Sequence, residues 1–398
     1  MKKLMLAASA CALMAGAASA EDVKIGILIG FTGPIESLTG HMANAAEAAM
    51  AEVNASGKAK NTYTSVRGDD TCTDAAAATA AAERAITAEG VKGIIGGDCS
   101  GVTRAMLTNV AMPNGIVMVS PSATSPALTN DPDNGLFFRT APSDAREGEV
   151  MGQILAEKGV KSIALTYSNS DYGKGLAEAI AAGFTAQGGT VTINAAHDDG
   201  KADYSAEVAA LAAAGGDILV VAGYLDQGGK GIIQASLDSG AFTTFGLPGG
   251  MVGDSLPAAI GPALDGSYGQ VAQSDSPGAA VLAEMGKAND PAYDATSPYT
   301  MESYDAAALI MLAMEASGST DSNVYKEKIM EIANGPADGS GVKILPGELG
   351  KALELIAAGT AIDYDGASGV TLIGPGESAG RYKQFEVKGG KYETVQFR

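Results

Sequence analysis

Short apolar runs alternate with longer, alanine-rich segments along the first part of the chain. The runs Lys24–Ile29, Tyr63–Arg67, Val91–Ile95 and Ile116–Val119 are predicted strands, and segments between them such as His41–Val53 have helical spacing. Buried strands that alternate with helices form repeated βαβ units, in which a parallel sheet is covered by helices on both faces. The pattern therefore predicts a doubly wound α/β lobe.

A second series of the same kind begins after Phe137–Thr140. Its predicted strands include Ser162–Tyr167, Val191–Ala195 and Ile218–Ala222, each followed by a predicted helix. A chain of 398 residues is too long for one comfortable core, because single hydrophobic cores stop growing at about 250–300 residues. Two series of similar length therefore indicate two similar α/β lobes.

The last part of the chain adds helices and a terminal hairpin around Gly389–Gly390, without the pattern of a third domain. We predict that the chain crosses between the lobes more than once and shares these late elements between them. A connection of this kind forms a hinge, and hinged lobes close over ligands. The predicted boundaries are residues 21–142 plus about 274–378 for lobe 1, and residues 143–273 plus about 379–398 for lobe 2.

Hydroxyl groups gather where two neighbouring strands are predicted to end. Ser100 follows Val91–Ile95, and Ser122 and Thr124 follow Ile116–Val119. Ligands of open α/β sheets bind outside the carboxyl ends of the strands, so these side chains can hold a small anion such as a carboxylate. The alternative is that the hydroxyls cap helices. No base or metal ligand lies near them in sequence, which favours binding over catalysis.

The first twenty residues have the pattern of a secretory signal. Lys2 and Lys3 precede an apolar region, and Ala18–Ala20 provides small residues for cleavage before Glu21. A lipoprotein cleavage site at Cys11 is the weaker alternative. The mature chain is therefore predicted to be exported, with the signal cleaved after Ala20. Export leaves Cys72 and Cys99, an even pair that is most simply a disulfide in an oxidising compartment, although two unpaired buried cysteines remain the alternative.

The composition excludes several classes of function. There are 26 basic and 46 acidic residues, a net charge of −20, which argues against nucleic acid and anionic membranes as partners. His41 and His197 are the only histidines and are far apart in sequence, so no metal site is expected. The glycines after the first strand lack the spacing of a dinucleotide or nucleotide loop, and no cofactor is expected.

Several segments together resemble type I periplasmic solute-binding proteins of ABC importers, specifically the branched-chain amino acid (Leu/Ile/Val)-binding family. The similarity runs over essentially the whole mature chain. The segments that carry it are Lys24–Pro34 (KIGILIGFTGP), Asp69–Cys72, Asp98–Ser100, Ser120–Ala127 (SPSATSPA), Tyr167–Leu176 (YSNSDYGKGL) and Asp217–Tyr224. The resemblance implies two doubly wound lobes joined by a multi-crossing hinge, and a Cys72–Cys99 disulfide.

The resemblance also implies roles for six residues of the ligand site. Ser100 would donate its hydroxyl to the ligand carboxylate, Ser122 lies where a backbone carbonyl takes the α-amino group, and Thr124 lies where hydroxyl and amide meet the ligand backbone. Tyr172 and Tyr224 would close over the ligand from the second lobe. Tyr299 falls where the family often places an aromatic ring near the ligand side chain.

Two positions depart from the family pattern. Gly249 stands where leucine-binding members have the glutamate that pairs with the ligand ammonium, and Leu38 or Thr39 stands where they have a tyrosine. A buried ammonium without a carboxylate partner is costly. Either another acid supplies the charge, or the ligand is not an ordinary α-amino acid. The sequence offers three candidate acids, which are Asp226, Glu302 and Asp144.

These patterns predict a non-enzymatic, monomeric capture protein of the periplasm. It would bind a small solute, with an amino acid favoured, by closure of two lobes and deliver it to a membrane ABC permease. The alternative is a sensory binding module that presents an amino acid or short amide to a receptor. An exported enzyme on a similar scaffold is disfavoured, because no acid–base or nucleophilic set is visible.

Overall fold

The computed structural model describes residues 21–289 and 294–398, so the predicted signal segment lies outside the described residues. The strands are β1 Glu21–Ile29, β2 Asn61–Asp69, β3 Ile94–Gly96, β4 Met118–Ser120, β5 Phe137–Pro142, β6 Ser162–Ser168, β7 Thr190–His197, β8 Ile218–Ala222, β9 Phe245–Leu247, β10 Tyr268–Ala272, β11 Val342–Ile344, β12 Ile362–Tyr364, β13 Leu372–Ile373, β14 Glu377–Ser378, β15 Tyr382–Lys388 and β16 Lys391–Phe397.

The helices alternate with these strands in each half of the chain. They are α1 Glu36–Ser56, α2 Ala75–Thr87, α3 Ser100–Met106, α4 Met112–Asn114, α5 Asp144–Glu157, α6 Asp171–Ala186, α7 Ser205–Ala214, α8 Gly228–Ser239, α9 Ser255–Ile260, α10 Pro277–Asn289, α11 Thr300–Ser317, α12 Ser322–Asn334 and α13 Leu349–Ala357. A π-helical turn at Leu107–Ala111 joins α3 to α4. No helix of the described segments is long and apolar enough to cross a membrane.

Two seven-stranded sheets form the centres of two lobes. Their strand orders are β13-β14-β5-β4-β3-β1-β2 and β16-β15-β10-β9-β8-β6-β7. The five early strands of each sheet are parallel and follow the same order, as repeated βαβ units require. The predicted α/β architecture of two similar doubly wound lobes is therefore confirmed.

The chain passes between the two sheets three times, after β5, after β10 and after β14. Beyond the last crossing, β15 pairs antiparallel with β10, and β16 pairs antiparallel with β15. The predicted terminal hairpin is thus the edge of the second sheet. The residue boundaries given above for the lobes stay a prediction.

Close packing of small residues brings α5 and α6 together. A Cβ at Gly148 would lie 2.3 Å from the backbone of Ala179, and one at Gly152 would lie 2.4 Å from the backbone of Gly183. Any side chain at these positions would push the helices apart. This contact fixes the start of α5, which carries two of the acids discussed below.

Helix α11 is buried on every side from Thr300 to Glu315. It packs between α1, α12 and the first sheet, which explains why the run Ala306–Met314 is apolar around the whole helix. Tyr299 precedes it with a φ of 63°. This left-handed conformation is uncommon for a residue with a side chain, and Tyr299 lines the cavity described below.

Candidate functional site

The loop between β3 and α3, which leads to Ser100, is held by a disulfide and by buried carboxylates. Cys72 and Cys99 form the predicted disulfide, which joins the turn after β2 to the start of α3. The Asp98 carboxylate accepts hydrogen bonds from the backbone N–H groups of Gly30 and Cys99, both at 2.7 Å. These contacts fix the backbone immediately before Ser100.

The three predicted hydroxyls lie close together and are buried. Ser100 Oγ accepts a hydrogen bond from the Ser125 N–H at 3.1 Å, and Ser122 Oγ donates to the Asp98 carbonyl at 3.0 Å. Thr124 Oγ1 has no hydrogen-bond partner within the described residues. Within the described residues, none of the three hydroxyls bonds to a first-turn amide of a helix, so capping does not explain them.

Three tyrosines from different elements face these loops. Tyr172, at the start of α6, stacks on Tyr224 with ring centroids 5.0 Å apart, and its hydroxyl accepts from the Gly250 N–H at 3.0 Å. Tyr299 enters from the turn before α11. All three rings are buried, and burial raises the pKa of each phenol well above its usual value, so the hydroxyls are neutral.

These side chains enclose a cavity between the lobes, called the interlobe cavity below. Its lining comprises Ile35, Leu38, Asp98, Cys99, Ser100, Ser122, Tyr172, Tyr224, Gly250 and Tyr299. The space inside it for a water-sized sphere is about 20 Å³, on the order of one water molecule. A ligand as large as an amino acid therefore requires the side chains to move or the lobes to part. A wider groove of about 1070 Å³ lies elsewhere, between α7 and α8.

The two lobes touch near the cavity at two places, as in a closed arrangement. Arg104 on α3 lies 3.7 Å from the Asp171 carboxylate on α6. Asp226, which follows β8, accepts from the Ser37 N–H of α1 at 3.0 Å and from the Ser255 hydroxyl. The structure thus places Asp226 at a contact between lobes, and Asp226 is not among the residues that line the interlobe cavity.

Glu147, which the sequence reasoning missed, lies beside Gly249. Its Oε1 accepts from the Gly249 N–H at 2.7 Å and from Gln270 Nε2 at 3.4 Å. A Cβ built on Gly249 would lie 3.4 and 3.6 Å from the two Glu147 carboxylate oxygens and 2.7 Å from the Tyr299 hydroxyl. The Glu147 carboxylate therefore occupies space beside the position that lacks a side chain. The contact joins positions 102 apart in sequence, which spacing along the chain does not reveal.

Asp144 lies next to Glu147 in the first turn of α5, and both are buried. Burial raises the pKa of Glu147 to about 7. Burial, followed by repulsion from Glu147, raises the pKa of Asp144 well above its ordinary value. Like charges this close do not both ionise readily, so protonation of at least one of the two carboxyls is favoured.

Glu302, the remaining candidate acid, is buried in the first turn of α11. Burial raises its pKa to about 8, and its backbone carbonyl accepts from the Thr140 hydroxyl at 2.8 Å. At the second departure from the family pattern, Leu38 lines the cavity, whereas Thr39 donates to the Glu36 carbonyl. Of the three predicted acids, Asp144 is the one the structure brings to the Thr124 loop, through its backbone N–H to the Thr124 carbonyl at 2.8 Å.

A family model described as periplasmic binding protein matches residues 22–334. The chain belongs to this family. A Leu/Ile/Val-binding protein homolog from Brucella melitensis is 31% identical over 320 residues, 79% of this chain and 84% of that protein. The predicted resemblance is therefore confirmed. The family binds small solutes and is periplasmic and not enzymatic.

Solved structures share the fold. A leucine-binding protein from Thermotoga maritima superposes with a TM-score of 0.77 at 22% identity, covering 94% of this chain and 98% of that one. A solute-binding protein from R. palustris, in complex with 4-hydroxybenzoate, has a TM-score of 0.78 at 18% identity and covers 95% of this chain and 97% of that one. One fold thus accommodates a leucine-binding protein and a protein bound to an ammonium-free aromatic acid.

Proposed function

We propose that the protein captures an amino acid in the periplasm and delivers it to a membrane ABC permease for import. The observation that carries the proposal is the interlobe cavity, in which hydroxyls from one lobe face tyrosines from the other. Ser100, Ser122 and Thr124 supply polar contacts for the ligand backbone, while Tyr172 and Tyr224 cover it. A polar patch within an aromatic enclosure fixes orientation and excludes water.

The permease recognises the closed form of the protein. Contacts such as Asp226 with Ser37 join the lobes and form only when the lobes meet. A ligand held by both lobes stabilises this closed form relative to the open one, in proportion to its differential affinity for the two states. Membership of the family and similarity to a Leu/Ile/Val-binding homolog support this role and favour an amino acid as the solute.

The first experiment is a binding screen of the ligand-stripped chain from Glu21 onward. Thermal unfolding is followed with the twenty amino acids, with short amides and urea, and with benzoate and 4-hydroxybenzoate. Ligand at 100 times its Kd adds about 2.7 kcal/mol to the stability. We expect a selective increase in melting temperature with one group of amino acids and a smaller radius of gyration in solution scattering with that ligand.

Two outcomes would contradict the proposal. Binding restricted to the aromatic acids would keep the capture role and overturn the amino acid as solute. Binding of no solute, with no ligand-dependent change in scattering, would overturn capture itself. Uptake of the bound amino acid into cells, lost when the chain is deleted, tests delivery separately and distinguishes an importer component from a sensory module.

A further inference from the structure

Four buried side chains with oxygen acceptors meet beside the interlobe cavity; we call Thr124, Asp144, Glu147 and Gln270 the acceptor cluster. Asp144 lies against the Thr124 hydroxyl and the Glu147 carboxyl, and Gln270 contacts Glu147 at 3.4 Å. Tyr172 and Tyr299, which line the cavity, lie within the electrostatic range of both acids. The cluster therefore adjoins the place where the ligand is proposed to bind.

The acceptor cluster is short of hydrogen-bond donors. Both carboxylate oxygens of Asp144, Thr124 Oγ1 and Gln270 Oε1 are buried and have no partner in the described part of the chain. Asp144 and Gln270 are each 0% exposed. Buried acceptors without donors are rare in native proteins, because each loses its hydrogen bonds to water. Four such atoms in one place indicate a site built for a donor-rich group.

Ordinary structural roles do not account for the two acids. Ser143 already caps α5, since its hydroxyl accepts from the Ala145 N–H. The nearest guanidinium, Arg139, donates to Ala123 and Ser125 carbonyls through Nη1 and to Thr129 and Glu377 through Nη2. Arg139 is therefore committed to other acceptors. The titratable groups that interact electrostatically with the pair are Arg139 on β5, Tyr172 on α6, Tyr224 after β8, Tyr299 before α11 and Tyr382 on β15.

We propose that the acceptor cluster binds the primary ammonium group of the ligand. The Glu147 carboxylate would contact the ammonium from the space beside Gly249, which is free because glycine has no side chain. This inference rests on the proposed function and narrows it to solutes carrying both a carboxylate and a protonated amine. A primary ammonium offers three N–H donors and no acceptor, which matches a site of unpaired oxygens. Its charge also neutralises a carboxylate pair, as buried anions require.

Binding of the ammonium group should release a proton from the carboxyl pair. In the free protein at least one carboxyl of the pair keeps a proton, because burial and mutual repulsion disfavour two negative charges. When an ammonium arrives, its positive charge favours ionisation of both carboxyls, and that proton leaves to solvent. The ligand keeps its own protons and no covalent bond changes, so charge and atoms balance. Proton release on binding is thus a signature that a purely structural acid pair would not give.

The experiment compares amino acids with the carboxylic acids that lack the amino group. L-Leucine, L-alanine, L-glutamate and L-phenylalanine are titrated beside 4-methylpentanoate, propionate, glutarate and 3-phenylpropionate, by calorimetry at pH 7.5 in two buffers of different ionisation enthalpy. We expect at least one amino acid to bind about 100-fold or more tightly than its partner acid, since a buried charge pair contributes strongly to binding. Its binding should release a proton.

Variants then assign the effect to the cluster. Glu147→Gln and Asp144→Asn should each weaken the amino acid by about 30–100-fold, abolish proton release and leave the partner acid within about threefold. Glu149→Gln, on the exposed face of the same helix, is the matched control and should change nothing. Moving the carboxylate, with Glu147→Ala combined with Gly249→Glu, should recover part of the lost affinity.

The possible failures are distinguishable. If the wild type binds an amino acid and its partner acid equally, or if Glu147→Gln weakens both equally, the ammonium subsite is overturned while solute capture stands. If none of the twenty amino acids of the binding screen binds, the proposed function fails with it. If NaCl, KCl or CaCl₂ alone raises the melting temperature and Asp144→Asn abolishes the rise, the cluster is a metal site. Thermal unfolding of each variant verifies that loss of binding is not loss of the fold.

Discussion

Two pairs of buried carboxyl groups lie near the cleft and differ in one respect. Asp70 and Asp98 lie under the disulfide loop, and Asp144 and Glu147 lie at the start of α5. All four side chains are buried, and burial raises the pKa of each. The two pairs therefore do not differ in burial or in charge. They differ in the number of hydrogen-bond donors that surround their carboxylates.

The first pair is surrounded by backbone donors. Asp98 accepts from Gly30 and Cys99, while Asp70 accepts from the Cys72 N–H at 2.9 Å and the Asp98 N–H at 3.4 Å. The second pair has one strong backbone donor, at Glu147, and none at either Asp144 oxygen within the described residues. A saturated pair fixes a loop, whereas an unsaturated pair remains available to a ligand.

The largest effect is expected from breaking the saturated pair. Asp98→Ala leaves the N–H groups of Gly30 and Cys99 buried without an acceptor, so the free energy of unfolding should fall by about 2–4 kcal/mol. Urea denaturation of the disulfide-intact protein measures it. Asp144→Asn is the comparison and should cost less than about 1 kcal/mol, because no N–H loses its acceptor. Equal losses in the two variants would remove the distinction between the pairs.

The free energy of unfolding should vary with pH because of the unsaturated pair, Asp144 and Glu147. The pKa of Glu147 rises from 4.5 unfolded to about 7 folded, so the folded state binds the proton more tightly. Its stabilising contribution is fully present below about pH 4.5 and is lost as the pH rises through about 7, a difference on the order of 3 kcal/mol. Other buried acids titrate in the same range, so the measurement is the wild-type stability minus that of Glu147→Gln at each pH.

That difference curve should fall between pH 4.5 and 7 and flatten above pH 8. Asp144, Tyr172, Tyr299, Tyr382 and Arg139 face Glu147 or its partner and remain in both proteins, so their contributions largely cancel. A curve that rises with pH would mean that Glu147 is ionised in the fold and paired with a cation of the protein. That result would also contradict the ammonium subsite.

Much of the fold could be predicted from the chain alone, because the alternation of apolar strands and helices is local. Ile218–Ala222 is a strand at its predicted limits. Strands β5 and β10 were not predicted. Strand β5 contains Arg139, a buried guanidinium that pairs with Glu377 at 2.6 Å and also donates to the Ala123 and Ser125 carbonyls. A charge neutralised from more than 200 positions away looks like a surface residue in sequence.

Some residues of the candidate site could likewise be predicted from the sequence, and others could not. Ser100, Ser122, Tyr172, Tyr224 and Tyr299 could be assigned from motifs, and all five line the interlobe cavity. Their roles as ligand contacts stay predictions. Glu147 and Gln270 could not be assigned, because their importance depends on a glycine backbone and on missing donors, which appear only when α5, β10 and the turn after β9 are brought together.

A smaller effect should separate lobe closure from ligand recognition. Asp226 joins the lobes through the Ser37 N–H, so Asp226→Asn should weaken closure and raise the Kd of every ligand by about three- to fivefold, a loss of under about 1 kcal/mol. Calorimetry across the bound solutes measures it. Asp238→Asn, on the exposed surface of α8, is the control. If Asp226→Asn abolished binding of one ligand class alone, Asp226 would belong to the ligand-recognition site. It would then be a second candidate, beside the acceptor cluster, for binding the ammonium group.

The smallest effect concerns the hydroxyl that lacks a partner. Thr124→Val removes a buried oxygen with no hydrogen bond and preserves the shape of the side chain, so the ligand-free protein should keep or gain stability, by less than about 1 kcal/mol. Ser122→Ala removes a hydroxyl that donates to the Asp98 carbonyl and should lose about 1 kcal/mol. If Thr124 belongs to a ligand subsite, Thr124→Val should nevertheless weaken binding of the amino acid. A variant of an ordinary packing residue does not gain stability and lose ligand affinity together. If Thr124→Val instead lowered the free energy of unfolding, the Thr124 hydroxyl would have a hydrogen-bond partner inside the fold.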